Sequence, residues 1–362
     1  MKPFLPGMSV TSERFIGVTR QVHSLGNLVL DNRMAEAMRQ GVSRYPIYRV
    51  ARFAARVELE VLFDAIALDP AWRVERVAFG EALIDGDGLF VAAYGGRKLD
   101  YCSCAFYIWA ADVARAESAR QRLLDKAGST RISEPMFSIE WTFLTAQGHL
   151  ESAYVEELAD DVLRDGAYPE IRGGVRDFID RYLRAPETVL VLQGPPGTGK
   201  TRLVRGILGE ISRRKADGEE ALALYTGDMK ALAGDEIFVR FITGRHDVFV
   251  IEDADHLLKP RADGNEHLHR FLAIADGVVR AQGRKIMFST NLPNVGDLDD
   301  ALVRPGRCFA RLHVRTLSGA EAQALAAEIA AGDAEKLGRA SLALAGEEGR
   351  KRSLAEVYSS LR

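Results

Sequence analysis

The chain has 362 residues, of which 47% are hydrophobic, 27% charged and 8% aromatic, with a formal net charge of −3. That length exceeds one ordinary core and predicts two or three domains, and the charge balance leaves no global attraction for nucleic acid or a membrane surface. The three cysteines cannot build a disulfide framework, and there is no signal-peptide core and no run of roughly 18 apolar residues, so a soluble, cytoplasmic protein is expected.

In chain order, 56–68 reads as a short helix closed by Asp69-Pro70, and Trp72 to Phe79 as a strand. The runs 89–95 and 99–110 read as two strands joined at Gly95-Gly96, followed by a helix over 111–126. FSIEWTFL, over 137–144, alternates, with Phe137, Ile139, Trp141 and Phe143 on one face. These elements predict an α+β N-terminal domain over 1–150, in which Trp109 and Trp141 belong to the core. An acidic connector and a helix over 175–183 fill 151–185. TVLVLQ, ALALYT, VFVIE, KIMFST and ARLHV are then short, nearly continuous apolar runs, the pattern of parallel strands covered on both faces. They predict an α/β core over 186–316, followed by a small helical segment over 317–362.

The first of these strands runs into GPPGTGKT, which fits G-x-x-x-x-G-K-[ST] and precedes an amphipathic helix. Gly194, Pro195, Pro196, Gly197, Thr198 and Gly199 would form a loop whose backbone N–H groups face phosphates, aided by the helix N-terminus that carries Arg202. Lys200 would reach the β- and γ-phosphates of ATP, and the Thr201 hydroxyl would bind Mg²⁺. In VFVIEDADHLL, the strand ends in Glu252 and Asp253, the reverse of the common Asp-Glu order. The first carboxylate would hold the metal through water and the second polarise the attacking water. Either acid can do either job, so the residues leave open which is the base.

GPPGTGKT, VFVIEDAD, KIMFSTN and LDDALVRPGRC together resemble the ATPase core of the AAA family within the AAA+ proteins, over about 168–314. The resemblance implies a P-loop core with a five-stranded parallel sheet and a C-terminal helical lid. It implies that Asn291 is the sensor that orients the water, and that Arg304 and Arg307 act as arginine fingers on a neighbour's γ-phosphate, hence a hexameric homo-oligomer. The Glu-Asp order, FLAIADGV and ALVRPGR also resemble the branch that includes the mitochondrial Rieske-protein translocase. A departure concerns threading, because Leu232-Ala233-Gly234 stands where unfoldases of this family carry an aromatic step. Phe238 and Phe241, three apart, would pack a helix face instead.

Several features have plainer readings. Cys102 and Cys104 lack further metal ligands and read as buried thiols. His267 and His269 diverge on a helix, so no metal site is expected there, and Glu266 with Arg270 reads as an exposed ion pair. The run Gly349 to Arg352 reads as a solvated loop. The leading expectation is a ring-forming ATPase that remodels, assembles or disassembles an unknown protein client held by the N-terminal domain. The alternatives are an ATP-gated scaffold with slow hydrolysis, or a nucleic-acid motor, against which the acidic balance argues.

Overall fold

The computed structural model describes residues 22–41, 45–215, 219–259, 268, 270, 271, 283–293, 298–302, 304–345 and 349–362. They form two compact units, one made by the chain up to Met136 and one by Phe137–Lys215 with Glu220–Arg362.

The first unit is an antiparallel sheet of β1 (Ile47–Ala55), β2 (Arg73–Ala78), β3 (Glu81–Gly86), β4 (Leu89–Arg97) and β5 (Cys102–Ala110), in the order β1-β5-β4-β3-β2. Helix α1 spans Val22–Gly41, α2 Leu59–Ala67 and α3 Val113–Ala127. Strand alternation turns Phe53, Val91, Phe106 and Ile108 towards Leu62, Phe63 and Ile66 of α2 and Leu123 of α3. Cys102 and Cys104 lie side by side in this core. The hairpin turn is not at Gly95-Gly96. β4 continues through both glycines, and the turn is closed by the Lys98 N–H donating to the Tyr101 carbonyl at 2.9 Å. Gly95 serves packing, since a Cβ there would stand 2.4 Å from Leu59 Cδ1.

The second unit holds a seven-stranded sheet of β6 (Met136–Leu144), β7 (Leu150–Leu158), β8 (Val189–Gln193), β9 (Ala221–Thr226), β10 (Val248–Ile251), β11 (Lys285–Thr290) and β12 (Cys308–His313), ordered β12-β8-β11-β10-β9-β6-β7. Its helices are α4 (Val175–Arg184), α5 (Lys200–Arg214), α6 (Met229–Ala233), α7 (Glu236–Thr243), α8 (Asp255–Leu258), α9 (Gly319–Ala330), α10 (Ala334–Leu344) and α11 (Leu354–Ser360). The five expected strands are parallel neighbours. All residues of β8, β10 and β11 are buried, in keeping with their nearly continuous apolar runs. Phe238 and Phe241 are buried on α7, as expected.

Two expectations need correction. The run 137–144, read as the last strand of the N-terminal part, pairs in parallel with β9 from Phe137↔Ala221 to Trp141↔Tyr225. The first part of the acidic stretch read as a connector is β7, the other arm of its hairpin. Charge fastens this hairpin to the sheet. Buried Glu140 on β6 accepts from Arg240 of α7 at 2.9 Å and pairs with His246 at 2.7 Å, and against its burial the hydrogen bonds from His246, Ser152 and Tyr154 hold its pKa below the usual value. Trp141 is not core. Its face of β6 is covered only in its first half, where Phe137 packs, and Trp141 is 51% exposed.

Arg352 also departs from the solvated-loop reading. It is buried, and its guanidinium donates to the Leu344 and Ala345 carbonyls at the end of α10, both at 3.0 Å. The pairs at Glu266 and at His267 with His269 lie outside the described residues. Among the described residues, no helix is long and apolar enough to cross a membrane.

Candidate nucleotide site

Polar residues gather at the carboxyl ends of β8, β10 and β11, where parallel α/β sheets place ligands. After Gln193 the chain must turn sharply into α5, and two glycines permit it. Gly194 has φ 155° and its Cβ position lies 2.0 Å from the Val314 carbonyl oxygen. Gly199 has φ 98°, with Leu354 Cδ2 2.5 Å from its Cβ position. Neither place accepts a side chain. The loop is braced by Thr198 Oγ1 donating to the Pro195 carbonyl at 2.8 Å and by the Tyr168 hydroxyl donating to the Gly199 carbonyl at 3.0 Å. The fifteen-residue α5 begins at Lys200, so its free N-terminal amides and dipole face the cavity.

The Lys200 ammonium donates to the carbonyls of Gly194 (2.7 Å) and Pro195 (3.0 Å) and to Asn291 Oδ1 (2.8 Å). Burial lowers its pKa, with Asp253, Asp255 and Glu252 opposing the shift. Thr201 Oγ1 donates to Glu252 Oε1 at 2.6 Å, and the Tyr225 hydroxyl donates to Glu252 Oε2 at 2.9 Å. Burial and the adjoining Glu252 charge raise the Tyr225 pKa, which keeps its proton on the donor. Asp253 adopts φ 49°, a left-handed conformation that aspartate tolerates better than most residues, and its Oδ1 accepts from Asn291 Nδ2 at 3.0 Å. Asp255 in turn fixes Asn291: its Oδ1 accepts from the Asn291 N–H at 2.8 Å and from Thr290 Oγ1 at 2.6 Å.

Of these groups, Lys200, Thr201, Glu252, Asp253 and Asn291 line a cavity of about 600 Å³, to which α11 adds Leu354, Ala355 and Tyr358. Helix α11 is fastened to the loop by the Ala355 N–H donating to the Gly197 carbonyl at 2.9 Å. Arg202 turns away from the phosphate end, with its guanidinium 3.9 Å over the Tyr358 ring and 3.1 Å from Asp161. Pro196 lines the cavity. The donor set suits a phosphate chain, and the hydroxyl and carboxylate oxygens at its end suit a hard divalent cation such as Mg²⁺.

Thus the expected loop residues, Glu252, Asp253 and Asn291 come together. Arg304 and Arg307 do not join them. The Arg307 carbonyl accepts from Val189 N–H at 3.1 Å, at the start of β8, whereas the loop leaves its other end. The strand's five residues put about 16 Å between the two ends. Arg304 is exposed there, and the Arg307 guanidinium donates to the Ala301 carbonyl of its own chain. Tyr225, Asp255, Tyr168 and the residues of α11 escaped the sequence reading. Asp255 was visible as the third acid of VFVIEDAD, but the others come from distant elements and left no local signal.

Comparison with known proteins agrees with this arrangement. Residues 190–316 match the family model for the ATPase family associated with various cellular activities (AAA). An ATP-dependent zinc metalloprotease FtsH from Acidimicrobium ferrooxidans is 30% identical over 171 residues, 41% of this chain and 24% of that protein. A Bifidobacterium animalis subsp. lactis protein described as an AAA ATPase forming ring-shaped complexes is 31% identical over 158 residues, 38% of this chain and 30% of that one. The chain therefore spans less than a third of the length of these relatives. Matched motifs, parallel sheet and site geometry coincide in one stretch, and the second unit of this chain carries an ATPase domain of the AAA family.

Proposed function

We propose that the chain is a ring-forming ATPase that couples ATP hydrolysis to remodelling, assembling or disassembling a protein partner held through the first unit, which ends at Met136. The observation that carries this reading is the separation of one catalytic set over the two ends of a sheet. The phosphate loop, carboxylates and Asn291 stand at the carboxyl ends, and Arg304 at the amino end of β12, beyond side-chain reach. An arginine so placed serves a second copy arranged head to tail, a contact whose repetition makes a ring when its rotation closes. The relative described as forming ring-shaped complexes supports the same arrangement.

In this reading Lys200 and the loop amides take the phosphates of ATP. Thr201 and Glu252 would hold Mg²⁺, which would neutralise charge on the phosphates. Asp253, the carboxylate that does not contact Thr201, takes the proton of the attacking water, and Asn291, fixed by Asp255, orients that water. Arg304 of a neighbouring copy stabilises charge on the transferred group, with Arg307 beside it. The segment 317–362 acts as the lid over the cavity.

Remodelling without an aromatic threading grip is favoured by the segment after β9. Leu232 is fully buried, Arg270 donates to the Leu232 and Ala233 carbonyls, and Arg270 pairs with Asp235 at 2.8 Å. The decisive test is phosphate release against protein concentration. Turnover per subunit should rise with concentration, Asp253→Asn should bind ATP yet lose at least about a hundredfold in turnover, and Glu252→Gln should require more Mg²⁺. No turnover above background at any concentration would reduce the protein to an ATP-gated scaffold.

A further inference from the structure

Strand β6 carries Phe137, Ile139, Trp141 and Phe143 on one face, but the core takes only the first pair. Trp141 is 51% exposed and Phe143 36%. Across the hairpin Thr142 and Ser152 meet at 3.0 Å, which sets Phe143 opposite Glu151 and Trp141 opposite Ala153, both exposed. The exposed face is thus aromatic with an acidic margin, and it lies towards the end of the sheet that holds the phosphate loop.

Trp141 is also connected to the site. Its ring meets Tyr225 edge-on, with centroids 6.3 Å apart and planes at 84°, and the Tyr225 hydroxyl donates to Glu252. A single side chain, Tyr225, therefore stands between a surface aromatic and the Glu252 carboxylate.

We propose that Trp141 and Phe143 form the docking surface for the arginine-bearing end of a second copy of this chain, and that the contact is carried to Glu252 through Tyr225. The proposal rests on the head-to-tail ATPase reading. A copy that brings Arg304 to Glu252 must lie over the carboxyl end of the sheet, where Trp141 and Phe143 stand. Its own contribution is basic, with Arg304 exposed, and it would meet aromatic rings and Glu151. Tyr225 is then a positioning residue: pressure on Trp141 fixes its ring, and the fixed hydroxyl holds Glu252 against Thr201.

The test uses the full chain with ATP and Mg²⁺, by sedimentation velocity and phosphate release over a range of protein concentrations. Trp141→Ala and, separately, Phe143→Glu should raise the concentrations for half-assembly and half-maximal turnover together, by about tenfold or more. Trp141→Phe should recover most of the loss. Tyr225→Phe should assemble at the wild-type concentration but need more Mg²⁺ and turn over more slowly when assembled, which a merely structural role would not separate. Assembly of both Trp141→Ala and Phe143→Glu at the wild-type concentration overturns the docking surface. So does a wild type that never assembles, which would leave the face to another occupant. A wild type that assembles without turnover defeats the ATPase reading alone, because sedimentation still judges the docking. Tyr225→Phe behaving as wild type in every readout removes the relay.

Discussion

Lys285 opens β11 with its ammonium buried, donating to the carbonyls of Ala185 at 2.8 Å and Glu187 at 3.0 Å and lying 4.8 Å from the centre of the Tyr182 ring. Burial pulls its pKa down to about 8. The unfolded chain, with an ordinary lysine, binds more protons than the folded one between that value and about 10.5, so this group makes stability rise with pH across the window. Urea unfolding at pH 7.5 and 9.5 should show wild type gaining relative to Lys285→Met, and parallel curves would contradict the assignment. The carboxylate pair makes a similar point at the functional site. VFVIEDAD announces two acids, and the strand end before them was readable from four apolar residues. Which oxygen meets Thr201 depends on the left-handed backbone at Asp253 and on Tyr225 from the next strand. Sequence spacing contains neither.

Elements were legible where their causes are local. The helix α9 starts with a capping box: Ser318 Oγ accepts from the Glu321 N–H while the Glu321 carboxylate accepts from the Ser318 N–H at 2.8 Å. Arg315 adds two hydrogen bonds at 2.9 and 2.7 Å, and it is chiefly this guanidinium that holds Glu321 down at about 2. A carboxylate depressed in this way contributes stability above about pH 4.5 and loses it as pH falls towards 2. Glu321→Gln should therefore destabilise the protein by about 1 kcal/mol at pH 7, with the gap to wild type closing in acid; melting temperatures at pH 7 and pH 3 check it. The hairpin β6–β7 was the element misread. ESAYVEEL looks like a solvated connector because its acids dominate, yet Ser152 joins the buried Glu140, Arg240 and His246 group. A strand held at a sheet edge by long-range ion pairs carries no period that marks its partner.

At the scale of the whole molecule, the two ends of the sheet make a directional object, and direction is testable by mixing. Arg304→Ala keeps the phosphate loop and carboxylates but loses its arginine; Asp253→Asn keeps the arginine but loses its base. Each alone should be inactive. Mixed in equal amounts, about a quarter of the sites in a randomly assembled head-to-tail ring would join an intact loop to an intact arginine. Phosphate release at about that fraction of wild type is expected, and no recovery would mean that Arg304 does not act between copies.

The sequence by itself determined the phosphate loop, the buried parallel strands, the acids after VFVI and Asn291 after KIMFST. These are readable because each depends on residues adjacent in the chain: a glycine turn, an apolar run, a polar group at its end. Only the tertiary structure decided that β6 and β7 extend the parallel sheet and that Trp141 is exposed. It alone brought Tyr225 and α11 to the site and held Arg304 at the far end of β12. Those outcomes depend on which strand pairs with which and on how far a helix covers a face. Pairings between segments tens of residues apart are selected by the packing of the whole unit, so no short stretch of the chain records them.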